Sequence, residues 1–228
     1  MIHLFETDDR QTIGEETLMG TQKDSEATRA KIIEAAGQLF TEKGFSAVTV
    51  REIAKKADTH LSALNYHFRS KDALYREVLL YACRSALMST EERDYLLNLD
   101  PNEALFIFVS EAIKQYSKQT VSNWELAIID RECWYPSPVF EEVVDVFFRP
   151  ETDFIAEIIG RITDKPAQSN EIRFATIGLI GLLSLFGYYN HYVNAIAPGL
   201  RKIFHKDDWL VKIIIHMVLE AAKVQEVE

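Results

Sequence analysis

Residues 49–71 read TVREIAKKADTHLSALNYHFRSK, and this stretch decides the fold. Thr49 and Glu52 stand at capping-box spacing, with the hydroxyl placed for the backbone NH three residues on and the carboxylate for the cap NH, so a helix is expected to start at Thr49. Val50, Ile53, Ala54 and Ala57 recur at helical spacing as its buried stripe. Asp58 follows where the chain must turn sharply, and Asp tolerates the left-handed backbone better than most non-glycine residues. Thr59 is expected to cap the next helix, with Leu64 and Phe68 as its buried positions. Ser70 is expected to cap a further helix whose inward residues are Ala73, Leu74, Val78 and Tyr81. Two short helices, a tight turn and a basic aromatic segment make the layout of a helix-turn-helix.

If Leu64 and Phe68 face the core, His60, Leu61, Ser62, Asn65 and Tyr66 project from the opposite side. That face suits a major groove. Ser62 and Ala63 permit close approach, Asn65 offers a paired donor and acceptor for adenine, and Leu61 can touch a thymine methyl. Tyr66, His67 and Lys71 fall where phosphates would pass, and Arg51 on the preceding helix is within reach of a phosphate or a base edge. Plainer readings stay open: His67 as a packed side chain holding the next helix, and Leu61 as an extension of the core.

Upstream, Ile32, Ile33, Ala36, Leu39 and Phe40 recur at helical spacing between Ala27 and Lys43, Gly44 stops that helix, and Phe45 returns to the core. The run KIIEAAGQLFTEKGFSAVTVREIAKKAD followed by NYHFRSKDALY closely resembles the N-terminal domain of TetR-family transcriptional regulators over Ala27 to about Val78. The resemblance implies that the helix spanning Thr59 to His67 lies in the major groove. It implies base approach for Arg51, His60, Leu61, Ser62, Ala63 and Asn65, and phosphate contacts for Thr49, Tyr66, His67 and Lys71. Two positions depart from the family pattern. Asp58 replaces the usual turn Gly, and Asn65 replaces the first of the usual tyrosine pair, which alters the contact chemistry.

Charge is distributed in keeping with this. The 228 residues carry a net −10, which argues against uniform coating of nucleic acid. Between Thr28 and Arg76, however, nine Lys/Arg face five Asp/Glu, a local +4 that leaves −14 for the remainder. Cys83 and Cys133 are the only cysteines, with no CxxC and no metal-ligand spacing, so no metal or cofactor is expected and a cytoplasmic setting is favoured. No basic-then-apolar leader opens the sequence, and the apolar run Ala175–Tyr189 is too short to span a bilayer, so no membrane partner is expected.

Beyond the reader the pattern stays helical. Asp100-Pro101-Asn102-Glu103 starts a helix to about Lys118, another spans about Ser122 to Glu132, and the prolines of CWYPSP break it. Pro138 opens a long helix to about Arg161. A further helix runs from Ser169 to near Asn194, and Asp207 or Asp208 caps a last one reaching Val224. The expectation is an all-α protein of about nine helices. It has a disordered tail over 1–24, a three-helix helix-turn-helix domain over 25–71, and a larger helical ligand-binding and dimerisation domain over 72–228.

Two helices look too apolar for a monomer surface. Ile177, Ile180, Gly181, Ser184, Leu185 and Tyr188 on one, with Leu210, Ile214 and Met217 on the other, are candidates for a homodimer interface. TetR-like proteins pair such helices in a four-helix bundle; an intrachain core is the plainer reading. Tyr116, Trp124, Arg131, Trp134, Phe147 and His191 combine aromatic and polar groups suited to a small, apolar or aromatic effector, or else fill an ordinary core. RECWYPSPVFEEVVDVFFRP also resembles the CecR-type C-terminal domain of the family, which favours the pocket.

The expected function is a ligand-responsive repressor that binds a double-stranded, pseudo-palindromic operator as a homodimer. A transcriptional activator, or a helical adaptor that does not bind DNA, remains an alternative. Nothing pairs a nucleophile with a base or builds a phosphate loop, so an enzyme is not expected.

Overall fold

The apolar spacings of the first quarter of the chain become one core. In the computed structural model, Ile32, Ile33, Ala36, Leu39 and Phe40 of α1 (Asp9–Lys43) all lie buried against α2 (Val50–Lys56), α3 (Leu61–His67) and α4 (Lys71–Ala86). The structure describes residues 9–117, 124–187, 190–199 and 208–224, with side chains over 24–114, 124–185, 192–199 and 208–224. Every described element is helical. α5 (Thr90–Leu97), α6 (Pro101–Ser117) and α7 (Trp124–Trp134) follow, then the short α8 (Phe140–Val143), a π-helical turn (Val144–Phe148) and α9 (Arg149–Thr163). α10 (Asn170–Gly187), α11 (Asn190–Ile196) and α12 (Trp209–Lys223) complete the described chain.

Several boundaries differ from expectation. Part of the polar tail expected over 1–24 is helical, because α1 begins at Asp9 rather than near Ser25. Extending an anchored helix backwards through a proline-free segment needs no new nucleus. α5 was not anticipated, although Ser89 and Glu92 form a full capping box at its start. The long helix expected from Pro138 is interrupted by the π turn at 144–148. The apolar helix expected to run to Asn194 is divided into α10 and α11, with residues 188–189 between them outside the described residues. Tyr81, expected inward, is partly exposed and stacks flat on Trp124, with ring centroids 6.0 Å apart.

Two apolar clusters hold these helices. The first joins α1–α4 to the inner face of α7 through Trp124, Ile128 and Ile129. The second lies between α6, α9, α10 and α12 and includes Leu105, Ile158, Ile159, Leu179 and Ile214. α7 therefore belongs to the core of the helix-turn-helix as much as to the C-terminal bundle. Gly37 makes this possible, because a Cβ there would overlap the Trp124 indole. The indole Nε1 donates to Glu34 at 2.8 Å.

α7 also meets α4 through a buried polar contact. The fully buried Glu132 carboxylate accepts from the Tyr75 hydroxyl at 2.5 Å, and from the Ser137 backbone NH and hydroxyl at 3.0 and 2.8 Å. These bonds satisfy a carboxylate that would otherwise be costly to bury.

Candidate nucleic-acid interface and ligand cavity

The reader is built from caps outward. Thr49 Oγ1 accepts from the Glu52 backbone NH at 3.2 Å, and Glu52 accepts from the Thr49 backbone NH at 2.8 Å, so the expected capping box fixes the start of α2. These bonds, with Lys43 at 3.0 Å, hold the Glu52 carboxyl down at about 2. At the other end of α2, Asp58 adopts φ 51°. The Thr59 NH bonds the Ala54 carbonyl at 3.0 Å and the Asp58 NH bonds the Lys55 carbonyl at 3.3 Å. That is a Schellman closure with Asp in the position usually held by Gly. It draws Thr59 into the turn, so the cap of α3 is His60, which makes no side-chain cap bond, rather than the expected Thr59.

Leu64 and Phe68 are buried, at 1% and 3% exposure, and anchor α3. Tyr66 is 81% exposed on the opposite side. Arg51, His60, Leu61, Ser62 and Asn65 are exposed as well, while Ala63 and His67 are half-buried. Thr49 is exposed, but its hydroxyl is occupied by the cap. The His67 ring lies edge-on to Tyr66 at 5.2 Å and tilted to Phe68 at 6.2 Å, so it braces the tyrosine from within. Lys71 is half-buried with its ammonium 4.3 Å from the Phe45 ring centroid. Ser70 caps α4 through the Ala73 NH at 3.1 Å. Sequence reading passed over Lys55 and Arg69, which are exposed and make no ion pair among the described residues. The signal that marks them is the local basic excess.

A cavity of about 1060 Å³ opens in the C-terminal helices between α4–α7, the π turn, α9 and α10. Its apolar wall includes Met88, Ile107, Phe108, Ile129, Phe147 and Phe148. Its polar rim includes Glu91, Glu111, Glu125, Asp130 and Thr152.

The residues expected to line a pocket divide. Phe147 lines the cavity. Trp124 does not, since its indole fills the notch over Gly37 in the first core. Arg131 turns away toward Gly44, whose φ is +80°, and its guanidinium lies 5.2 Å from the Tyr135 ring centroid. Trp134 is 64% exposed, at the end of α7 just before the proline break. The side chains of Tyr116 and His191 lie outside the described residues.

The expected interface divides too. Ile177 and Met217 are 63% and 52% exposed, and Gly181 is open on the same outer side, with nothing within 4 Å of its Cβ direction. Leu210 and Ile214 are instead buried in the second core, because α12 turns 210, 211, 214, 218 and 222 inward. Its outer stripe is Trp209, Ile213 and Met217. Ile180 and Ser184 line the cavity, Leu185 is half-buried, and Tyr188 lies outside the described residues. Among the described residues, no helix is long and apolar enough to cross a membrane, and no three His, Cys, Asp or Glu are grouped to hold a metal.

Comparison with known proteins matches both halves. The family model described as bacterial regulatory proteins, tetR family, covers residues 32–78. The model for the C-terminal domain of the HTH-type transcriptional dual regulator CecR covers residues 101–204. The probable HTH-type transcriptional regulator YttP of Bacillus subtilis (strain 168) is 45% identical over 127 residues, 55% of this chain and 59% of YttP. The chain thus aligns with less than two thirds of that relative's length. A solved mutant of HlyIIR shares the fold with a TM-score of 0.61 at 22% identity, over 83% of this chain and 96% of that one. AibR, solved with isovaleryl coenzyme A and operator DNA, shares it with a TM-score of 0.56 at 16% identity, over 70% of this chain and 85% of that one.

Proposed function

This chain belongs to the tetR family of bacterial regulatory proteins, and from that premise we propose that it is a ligand-responsive repressor that binds a pseudo-palindromic operator as a homodimer. The exposed face of α3 carries the reading. Leu61, Ser62, Asn65 and Tyr66 stand clear of a helix whose opposite side is locked by Leu64 and Phe68. Asn65 reads a base edge, Leu61 and Ser62 allow the helix to seat, and Tyr66, His67, Lys71 and Thr49 fix register on phosphates. Arg51 and His60 extend the base contacts.

One α3 reads half a site, so two copies are needed with recognition helices about 34–36 Å apart. Phe174, Ile177 and Gly181 on α10, with Ile213 and Met217 on α12, form an exposed stripe across two helices that pack together. Pairing this stripe with its own twofold copy closes a four-helix bundle. The cavity beside α4 and α7 receives the effector. A bound molecule that favours one setting of α4 changes the separation of the two readers, and a coupling of ~1–3 kcal/mol changes operator affinity ~5–150-fold. AibR, with its acyl-CoA and operator, supports this division of sites on one fold.

The test is genome-wide capture of bound DNA followed by titration of the recovered site. An inverted repeat is expected, bound by the wild type and lost in the Asn65→Ala, Tyr66→Ala double variant while the dimer persists. Unchanged binding by that variant would move the chain to a role without DNA.

A further inference from the structure

The cavity walls carry charge of one sign. Among the described lining residues there are six carboxylates, Glu91, Glu92, Glu111, Glu125, Asp130 and Glu151, and no Lys, Arg or His. Three of them have structural partners. Glu92 closes the capping box of α5, Glu111 pairs with Lys114 at 2.7 Å, and Glu151 pairs with Arg93. Glu91 and Asp130 make no side-chain hydrogen bond or ion pair among the described residues, and the Glu125 carboxyl is met only by its own backbone NH.

Glu125 and Asp130 differ from ordinary surface acids. Both are half-buried on α7, on the side of that helix turned to the cavity. Burial alone pushes the Asp130 carboxyl up to about 6, and burial raises Glu125 as well, reinforced by the nearby Glu34. An unpaired carboxylate held out of water is a standing cost, which an opposite charge removes. The apolar wall sits beside them. Phe108, Phe147 and Phe148 present aromatic surface to the same space, and the Tyr95 ring stands at its edge. Aromatic faces attract cations and cover apolar bodies.

We propose that the effector of this cavity is a hydrophobic organic cation, an amine or quaternary ammonium with an aromatic or branched apolar body. Its charge sits between Asp130 and Glu125, and its body lies against Phe108, Phe147 and Phe148. The assignment rests on the reading of the cavity as the effector site and narrows it. A phosphate-bearing or carboxylate ligand would set like charges together with no cation in the described lining to offset them. The ligand class of this chain therefore differs from the anionic acyl-CoA held by AibR.

Tetraphenylphosphonium and tetraphenylborate test this directly, because they share shape and apolar surface and differ in the sign of charge. Calorimetric titration of the full chain is expected to show phosphonium binding at least about tenfold tighter than borate, a modest demand on unit charges at half-buried sites. Asp130→Asn should weaken phosphonium binding about tenfold and leave borate binding no weaker. Glu125→Gln, on the preceding turn, should act in the same direction and serves if the first variant misfolds. Equal or tighter borate binding, no phosphonium binding, or indifference to both substitutions overturns the proposal. Operator titration separates the two readings. Phosphonium that obeys the charge rule but leaves operator affinity unchanged removes the effector role and keeps the cation site. Borate that binds more tightly and releases operator does the reverse.

Discussion

The Tyr75 hydroxyl and the Glu132 carboxylate meet at 2.5 Å in a buried contact that joins α4, which follows the reader, to α7, which walls the cavity. Removing the hydroxyl by Tyr75→Phe leaves Glu132 with only its Ser137 partners. The expected loss is ~1–3 kcal/mol in urea unfolding at neutral pH. Burial, and then the bond to Glu132, push the Tyr75 phenol above its ordinary value near 10. A raised value in the folded state means the contribution is complete below pH ~10 and fades as pH rises through the folded value, so wild type and variant should converge in strong alkali. A constant difference between them across that range would contradict the assignment.

Asp130 should work against stability in the empty protein. Its carboxyl is raised from 3.8 to about 6 by burial, so the penalty is absent below its ordinary value and complete above about 6. Asp130→Asn is therefore expected to match wild type near pH 4 and to exceed it at pH 7.5. Discounted for partial exposure, the gain is about 1 kcal/mol. Thermal melts at the two pH values measure it. A variant less stable than wild type at pH 7.5 would show that Asp130 has a structural partner.

The capping box of α2 titrates in the opposite direction. Glu52 is held at about 2 by the Thr49 backbone NH, then by Lys43 and the Thr49 hydroxyl. Its contribution is present above the ordinary carboxylate value of 4.5 and is lost as pH falls toward 2. Thr49→Ala should cost ~1 kcal/mol at pH 7 and should make this acid limb shallower without abolishing it, because the backbone NH at 49 and Lys43 still hold Glu52. Operator affinity would drop with it, since α2 supports α3 through the Asp58 turn. Acid unfolding curves of the two proteins that stay parallel would refute the coupling.

Met217→Glu with Ile177→Glu should yield monomer. Both side chains are exposed on the outer stripe of α10 and α12, so the single chain loses no core packing. Sedimentation should show half the mass of wild type, with an unchanged helical spectrum and operator binding reduced to a half-site. A double variant that remains dimeric would place the interface elsewhere.

The reader was legible because its signals are local. A cap, a turn and an anchor pair lie within 49–71, and each acts on residues a few positions away. The same local logic would have found α5 from Ser89 and Glu92. The inner face of α12 was legible in its periodicity. Lys212, His216, Glu220 and Lys223 form one polar stripe, and the buried 210, 211, 214, 218 and 222 lie opposite it, whereas Ile213 and Met217 flank the polar side and are left outward. Trp124 and Phe147 belong to one aromatic-rich stretch, yet a notch at Gly37, far away in sequence, takes the first and leaves the second to the cavity. The acidic lining was illegible for a related reason. Its members come from α5, α6, α7 and α9, and no window of sequence holds them together.

The π turn at Val144–Phe148 has a further meaning. A π turn holds one residue more than the α-helical turn it replaces, so α8 and α9 are related like two lengths of one rod cut and rejoined out of phase. A single-codon deletion within the turn would restore a continuous α-helix and rotate one length against the other by about 100°. Phe147 and Phe148 sit inside that joint, on the cavity wall. The same turn packs on α4 and the first core, so losing or gaining one residue there would reset the aromatic wall of the cavity and its contact with the helix that follows the reader in a single step.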